Sequence, residues 1–150
     1  MEDIKIKESI QALCPDAQFV ENKQFIDVSL PLEHFRKVME YLKQTLNFNF
    51  LVSVSGVDWE KHFAVVYHLR NTQTNTMMAA KVIIADRQNP EVPTVSDLWQ
   101  TADLHEREIF DLFGIKFTNH PDLRRLFLDD DWVGFPLRKD YVDTVNIVER

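Results

Sequence analysis

Three apolar runs between residues 48 and 84, joined by links of only a few residues, constrain this chain more than any other feature. Phe48 to Val57, Phe63 to Leu69 and Met77 to Ile84 are rich in β-branched and aromatic residues at strand length, the pattern of half-buried strands. The links, near Asp58 to Lys61 and from Asn71 to Asn75, carry turn-forming residues and are short enough for antiparallel hairpins. Upstream, Phe19 to Leu30 contains the alternating Phe25-Ile26-Asp27-Val28-Ser29-Leu30, a further strand. Pro31 opens a helix that runs to about Leu46. Its apolar face is Leu32, Phe35, Val38, Met39 and Leu42, and Glu33, Arg36, Lys37, Glu40 and Lys43 lie outside. Residues 3–13 read as a short helix that partly buries Ile4, Ile6, Ile10 and Leu13 and is ended by Pro15.

Beyond Ile84 the pattern changes. Asp86 to Pro93 is expected as a loop, and Val95 to Ala102 as the start of a helix, separate from the next one or kinked into it. Leu104 to Phe113 is itself helical, with Leu104, Ile109, Leu112 and Phe113 near one stripe. Asp103, Arg107 and Asp111 follow one another at spacing four, so they can support that helix as acid–base pairs. Gly114 supplies the stop. From Lys116 onward mostly irregular structure is expected. Strands and helices in this order favour an α+β fold, a two-layer domain with a mixed, largely antiparallel sheet, helices packed on it and an extended C-terminal tail. One strand can pair in parallel across the 31–46 helix. At 150 residues the chain is one domain, with a folded body over about 1–115 and an extended segment over about 116–150.

Charge narrows the partners. A net charge of −7 argues against non-specific binding to nucleic acid or to an anionic membrane. No apolar run approaches the roughly 18–20 residues that span a bilayer. The charged start Met1-Glu2-Asp3-Ile4-Lys5 lacks a signal-peptide core, so the expected compartment is cytoplasmic, with membrane contact only through a partner. Cys14 is the single cysteine, one ligand where iron–sulfur clusters usually need four. With only Gly56, Gly114 and Gly134 there is no dinucleotide fingerprint and no Walker A loop.

Several chemistries can be weighed on the residues themselves. His105-Glu106 begins a zinc-protease motif, but Ile109 stands where the second His is required. Glu106 and Glu108 lie about 200° apart on a helix and do not converge as a carboxylate pair. Asp129-Asp130-Asp131 lacks the spacing of a calcium loop. His62 and His68 have no evident further ligands, and His120, before Pro121, reads as a turn residue bonded to backbone. The basic doublets Arg124-Arg125 and Arg138-Lys139 stand among Phe127, Leu128, Trp132, Phe135 and Tyr141. Arg and aromatics together compose interface hot spots. The residues alone leave two destinations for this tail: docking to a partner, or folding back to bury its aromatics on its own sheet.

The stretch Glu106-Arg107-Glu108, Asp111-Leu112-Phe113-Gly114-Ile115, His120-Pro121-Asp122-Leu123-Arg124-Arg125, followed by Gly134, Pro136, Leu137, Arg138, Lys139 and Asp140, resembles the signature of the complex I 30 kDa subunit family, the C-type subunit of bacterial proton-pumping NADH:quinone oxidoreductase. Phe135 stands where many members have His, Val142 where Pro is usual, and Phe127 where an aliphatic residue is commoner. The resemblance implies a non-catalytic subunit of the peripheral arm, with no cofactor of its own. Flavin and iron–sulfur clusters would sit on other subunits, electrons would pass from NADH to quinone, and the coupling would move protons. It implies partners of the D type (the 49 kDa subunit) and of the B type in the same complex, at the cytoplasmic side of the inner (plasma) membrane. It also implies a subunit-interface set of Glu106, Arg107, Glu108, Asp111, His120, Arg124, Arg125, Arg138, Lys139 and Asp140. The equivalent subunit of a membrane-bound hydrogenase or ferredoxin-type dehydrogenase is the nearest alternative. A free-standing binding module and a stand-alone enzyme built on the acid-rich helix are the more distant ones.

Overall fold

The computed structural model describes residues 2–124 and 134–138. Arg125, Lys139 and Asp140, with Phe127, Leu128, Asp129 to Asp131, Trp132 and Tyr141, lie outside the described residues. The elements run α1 (Glu2–Leu13), β1 (Gln18–Val20), β2 (Ile26–Leu30), α2 (Leu32–Gln44), β3 (Phe50–Asp58), β4 (Phe63–Asn71), β5 (Thr76–Ile84), β6 (Glu91–Pro93), α3 (Ala102–Phe113) and β7 (Lys116–Thr118). Strands β1 to β5 form one mixed sheet in the order β1-β2-β5-β4-β3. The β3–β4–β5 meander is antiparallel, and β2 is parallel to β5. That parallel pair follows from α2: a helix carries the chain from β2 across the sheet, so the chain re-enters at the far edge and the meander returns to β2. This is the α+β architecture expected.

The hairpin links are built by local side chains. Asp58 accepts the Glu60 backbone N–H (2.8 Å) where Glu60 takes φ +72°. Asn71 accepts from Gln73 and Thr74 before Asn75 takes φ +60°. Short polar side chains mimic a turn's own backbone bond in this way. The inward sheet face, with Val28, Leu30, Phe63, Tyr67, Leu69 and Val82, shares one core with Ile10 of α1, with Phe35, Val38, Met39 and Leu42 of α2, and with Ile109 and Phe113 of α3. On the opposite face Ser29 lies beside Lys81, and Val20 and Ile83 are exposed.

The strand expected at Phe25 to Leu30 is β2, and it pairs with the unforeseen β1 because Asn22 accepts from the Gln24 and Phe25 amides and turns the chain. Other expectations are corrected. Ile4 is exposed rather than partly buried, and Leu32 sits at the edge of the α2 face. Residues 95–101 form turns instead of a helix, and α3 begins at Ala102. There the Trp99 indole donates to the Phe48 carbonyl (2.8 Å) and the Val95 amide to Glu106 (2.9 Å), and these long-range bonds outweigh helix propensity. The expected loop 86–93 ends in β6, which pairs in parallel with the short β7 and aligns Val92 with Phe117, both buried, while the described residues after Thr118 are irregular as expected. Finally, Leu104 is 57% exposed and belongs to no buried stripe. The buried face of α3 is Ala102, Glu106, Ile109 and Phe113, and Asp111 is buried on the opposite side of the helix.

Candidate functional site

Helix α3 places the acidic signature residues in very different environments. Gly56 lets it approach β3 closely, since a Cβ there would lie 3.0 Å from the Phe113 ring and 3.2 Å from Ile109. At the other end Gly114, in the left-handed region at φ +78°, closes the helix with its N–H on the Phe110 carbonyl. With the helix so seated, Glu106 and Asp111 are fully buried, Arg107 is half-buried and Glu108 is exposed.

Glu106 is held by two residues 11 and 12 positions upstream. The Thr94 hydroxyl donates to its Oε1, and the Val95 backbone N–H donates to Oε2 at 2.9 Å. His120 comes from the turn after β7 with its ring wholly enclosed. Its Nε2 lies 2.9 Å from Asp103 Oδ1 and 3.9 Å from Glu106 Oε1. Its Nδ1 accepts the Asp122 backbone N–H at 2.9 Å. The backbone bond expected for His120 is therefore present, but the other face of the ring meets two carboxylates that no local spacing connects to it. Burial raises the Glu106 carboxyl to about 7, against the pull of the Thr94 and Val95 donors, with Asp103 and Asp97 adding to the rise. The Tyr67 hydroxyl, also fully buried, is pushed upward by desolvation and then by Glu106.

The basic signature residues separate. Arg107 donates from Nε to the Arg124 carbonyl at 3.4 Å and so reaches across to the segment after β7. The Arg124 side chain is exposed and pairs with its near neighbour Asp122 (3.0 Å). Arg138 turns inward instead. Its guanidinium lies 4.9 Å above the Phe63 ring and donates to the Arg87 carbonyl at 3.0 Å. Phe135 packs against Phe110 and against the face of Gly114, and the Leu137 amide bonds the Leu112 carbonyl. Residues 134–138 thus fold back on the body.

Two ion-paired sites carry no mark in the sequence. Arg87 grips the buried Asp58 with both guanidinium nitrogens and lies 4.5 Å above Phe63. Arg36 takes Asp97 bidentately, with Glu40 and the Thr94 carbonyl as further acceptors. The pairing raises Arg36 further and holds Asp97 below the usual carboxylate range. Arg36 and Asp97 line an open cleft of about 640 Å³ with Thr94, Ser96, Thr118 and Asn119. Both pairs join residues 29 to 61 positions apart, a separation that leaves no local pattern. Among the described residues one group, Asp16, Glu33 and His34, brings possible metal-ligating atoms within 4.8 Å of one another, at the surface. Cys14 is fully buried. The described residues include no helix long and apolar enough to cross a membrane.

Comparison with known proteins places this arrangement. The family described as the respiratory-chain NADH dehydrogenase 30 kDa subunit matches residues 28–145. The C/D subunit of NADH-quinone oxidoreductase from Phocaeicola vulgatus is 46% identical over 79% of the chain, which spans only 23% of that longer protein. The C subunit of the same enzyme from Moorella thermoacetica is 40% identical over 89% of this chain and 91% of its own. Among solved structures, a chain of the membrane-bound sulfane sulfur reductase, an archaeal respiratory membrane complex, superposes with a TM-score of 0.81 at 27% identity, covering 97% of this chain and 88% of that one.

Proposed function

Because this chain belongs to the respiratory-chain NADH dehydrogenase 30 kDa subunit family, we propose that it is a non-catalytic subunit of the peripheral arm of an NADH:quinone oxidoreductase. It serves assembly of an enzyme that passes electrons from NADH to quinone and couples that transfer to proton translocation. The observation that carries this reading is the signature on α3 and the following turn, together with likeness over most of the chain to proteins named as the C subunit of that enzyme. Flavin and iron–sulfur clusters belong, in this reading, to other subunits, and the complex attaches peripherally at the cytoplasmic side of the membrane. A partner of the D type, the 49 kDa subunit, is supported by relatives in which the matching stretch is about a fifth of a C/D chain. A B-type partner is proposed with it.

Within the interface set, Arg124 is the cation best placed to reach a partner among the described residues, being 67% exposed at its side chain. Glu108, exposed on α3, accompanies it. Glu106, Asp111 and His120 act from inside, by holding the helix and turn that present those residues. Arg125, Lys139 and Asp140 remain in the proposed set on the strength of the signature. A second reading, the equivalent subunit of a related respiratory membrane complex, is favoured by the likeness to the sulfane sulfur reductase chain.

The test is recovery of the tagged chain from native membranes in mild detergent, followed by mass spectrometry and iron analysis. Co-recovery of iron–sulfur subunits, a quinone-site subunit and an NADH-oxidising flavoprotein is expected. The same set without the flavoprotein supports the second reading, and a chain recovered alone overturns both.

A further inference from the structure

The cleft of about 640 Å³ lies between α2, the segment after β6 and the end of β7. One cation organises its wall. Arg36 donates from Nε to Glu40 at 2.8 Å and from Nη1 to the Thr94 carbonyl at 2.8 Å. Both of its Nη atoms donate to Asp97, at 2.7 and 2.6 Å. The charges do not balance, because one guanidinium meets two carboxylates. The carboxylates are also the more exposed partners, at 59% for Asp97 and 45% for Glu40 against 30% for Arg36. The hydrogen bond from Arg36 holds Asp97 below the usual carboxylate range, so its charge persists at neutral pH.

The remaining lining adds acceptors and apolar walls. The Thr94 hydroxyl is engaged inward, on Glu106 and on Ser96 Oγ. Asn119, at the rim, is exposed and carried at φ +65°, and its carboxamide oxygen is an acceptor. Pro93 and Pro121 line the cleft with apolar rings. Among the described residues that line it, Arg36 is the one cation. An anion entering the cleft would meet the surplus carboxylate and be repelled. A cation with several donors in one plane and an apolar stem matches the wall, and arginine is that side chain.

We propose that this cleft is a docking socket for one arginine side chain of a neighbouring protein. Asp97 receives the guanidinium, Asn119 accepts a further N–H at the rim, and the two prolines flank the methylene stem. The inserted cation supplies the positive charge that the Arg36 network lacks. The inference rests on the subunit reading only for which protein carries the arginine, which is then another subunit of the same complex. Arginine is enriched at such interfaces. The socket's preference for a guanidinium is a property of this chain alone and is tested on it alone.

The test is an NMR titration of the full 150-residue chain, labelled with ¹⁵N, against the peptide acetyl-Gly-Arg-Gly-amide. The control peptide carries citrulline, which keeps the shape of arginine without its charge. The arginine peptide should shift the Ser96, Asp97 and Asn119 amides saturably, with a Kd of roughly millimolar order, and added salt should weaken it. The citrulline peptide should bind at least about tenfold more weakly, as a lost charge-assisted bond requires. Asp97→Asn should abolish the response, while Arg36 keeps Glu40 and the Thr94 carbonyl to hold the fold. Asn119→Gly suits the positive φ and should weaken the arginine peptide severalfold. Equal binding of the citrulline peptide overturns the proposal, as does unchanged binding by Asp97→Asn. So does a response that never saturates, or one spread equally over exposed acids such as Glu8 and Glu21. A chain recovered from membranes without respiratory subunits would sink the subunit reading and leave this result standing.

Discussion

Glu106 makes stability depend on pH in a direction opposite to the usual salt-bridged carboxylate. An unperturbed glutamate titrates at 4.5 and this folded one at about 7. Below 4.5 both states hold the proton and the group is neutral in the balance. As pH rises toward 7 the unfolded chain releases its proton first, so stability falls, by about 3 kcal/mol once the shift is fully expressed. Urea unfolding at about pH 5 and about pH 8 should show this loss, and Glu106→Gln should flatten it. Asp58 obeys the opposite logic, being buried against Arg87. Arg87→Met removes the guanidinium from that carboxylate and should cost about 1–3 kcal/mol in the same assay at neutral pH. The signature marks Glu106 and His120 as important residues, yet nothing local marks them as contacts. Their meeting requires β7 to lie beside β6, which a three-residue pair cannot announce by periodicity.

Elements of regular period are legible in the sequence, and those held by single long-range bonds are not. Helix α2 and strands β3 to β5 lie close to their expected positions because each carries its own apolar repeat. The 95–101 turns carry a helix-like composition that one indole and one carboxylate overrule. Trp99→Phe keeps the buried ring but loses the bond to the Phe48 carbonyl. A loss of about 1–2 kcal/mol is expected by thermal or urea unfolding, because a buried carbonyl is left unmatched. The stripe on α3 is obscured for a related reason. A buried glutamate occupies a position where an apolar residue would have revealed the inward face, and the exposed Leu104 imitates the missing repeat. Gly56 is the element-scale hinge of that packing. Gly56→Val would press into Phe113 and Ile109 and should destabilise by about 1–3 kcal/mol, with α3 moved off β3.

At the scale of the whole molecule, residues 134–138 decide part of the tail's destination. They return to the body, where Phe135 covers Gly114 and Arg138 covers Phe63, while Arg124 stays outward. Gly114→Ala should therefore do two kinds of damage, at the left-handed cap and at the Phe135 contact. A loss of about 1–3 kcal/mol is expected, and in a double-mutant cycle with Phe135→Ala the two losses should not add. Charge reversal at Arg124 should change the stability of the chain by less than about 0.5 kcal/mol, as exposed substitutions do, yet lower recovery of the assembled complex. Unchanged recovery would remove Arg124 from the docking set. The sequence by itself determined the α+β class, the meander with its turns, the α2 face and the family signature. All of these are written in local periods, turn chemistry or ordered residues. Only the tertiary structure decided that β2 pairs with β5, that β6 and β7 meet, and that Glu106 shares its enclosure with His120. Those contacts depend on where distant segments come to rest, and the free energy that settles them is the burial of a common core rather than the preference of any one stretch of chain.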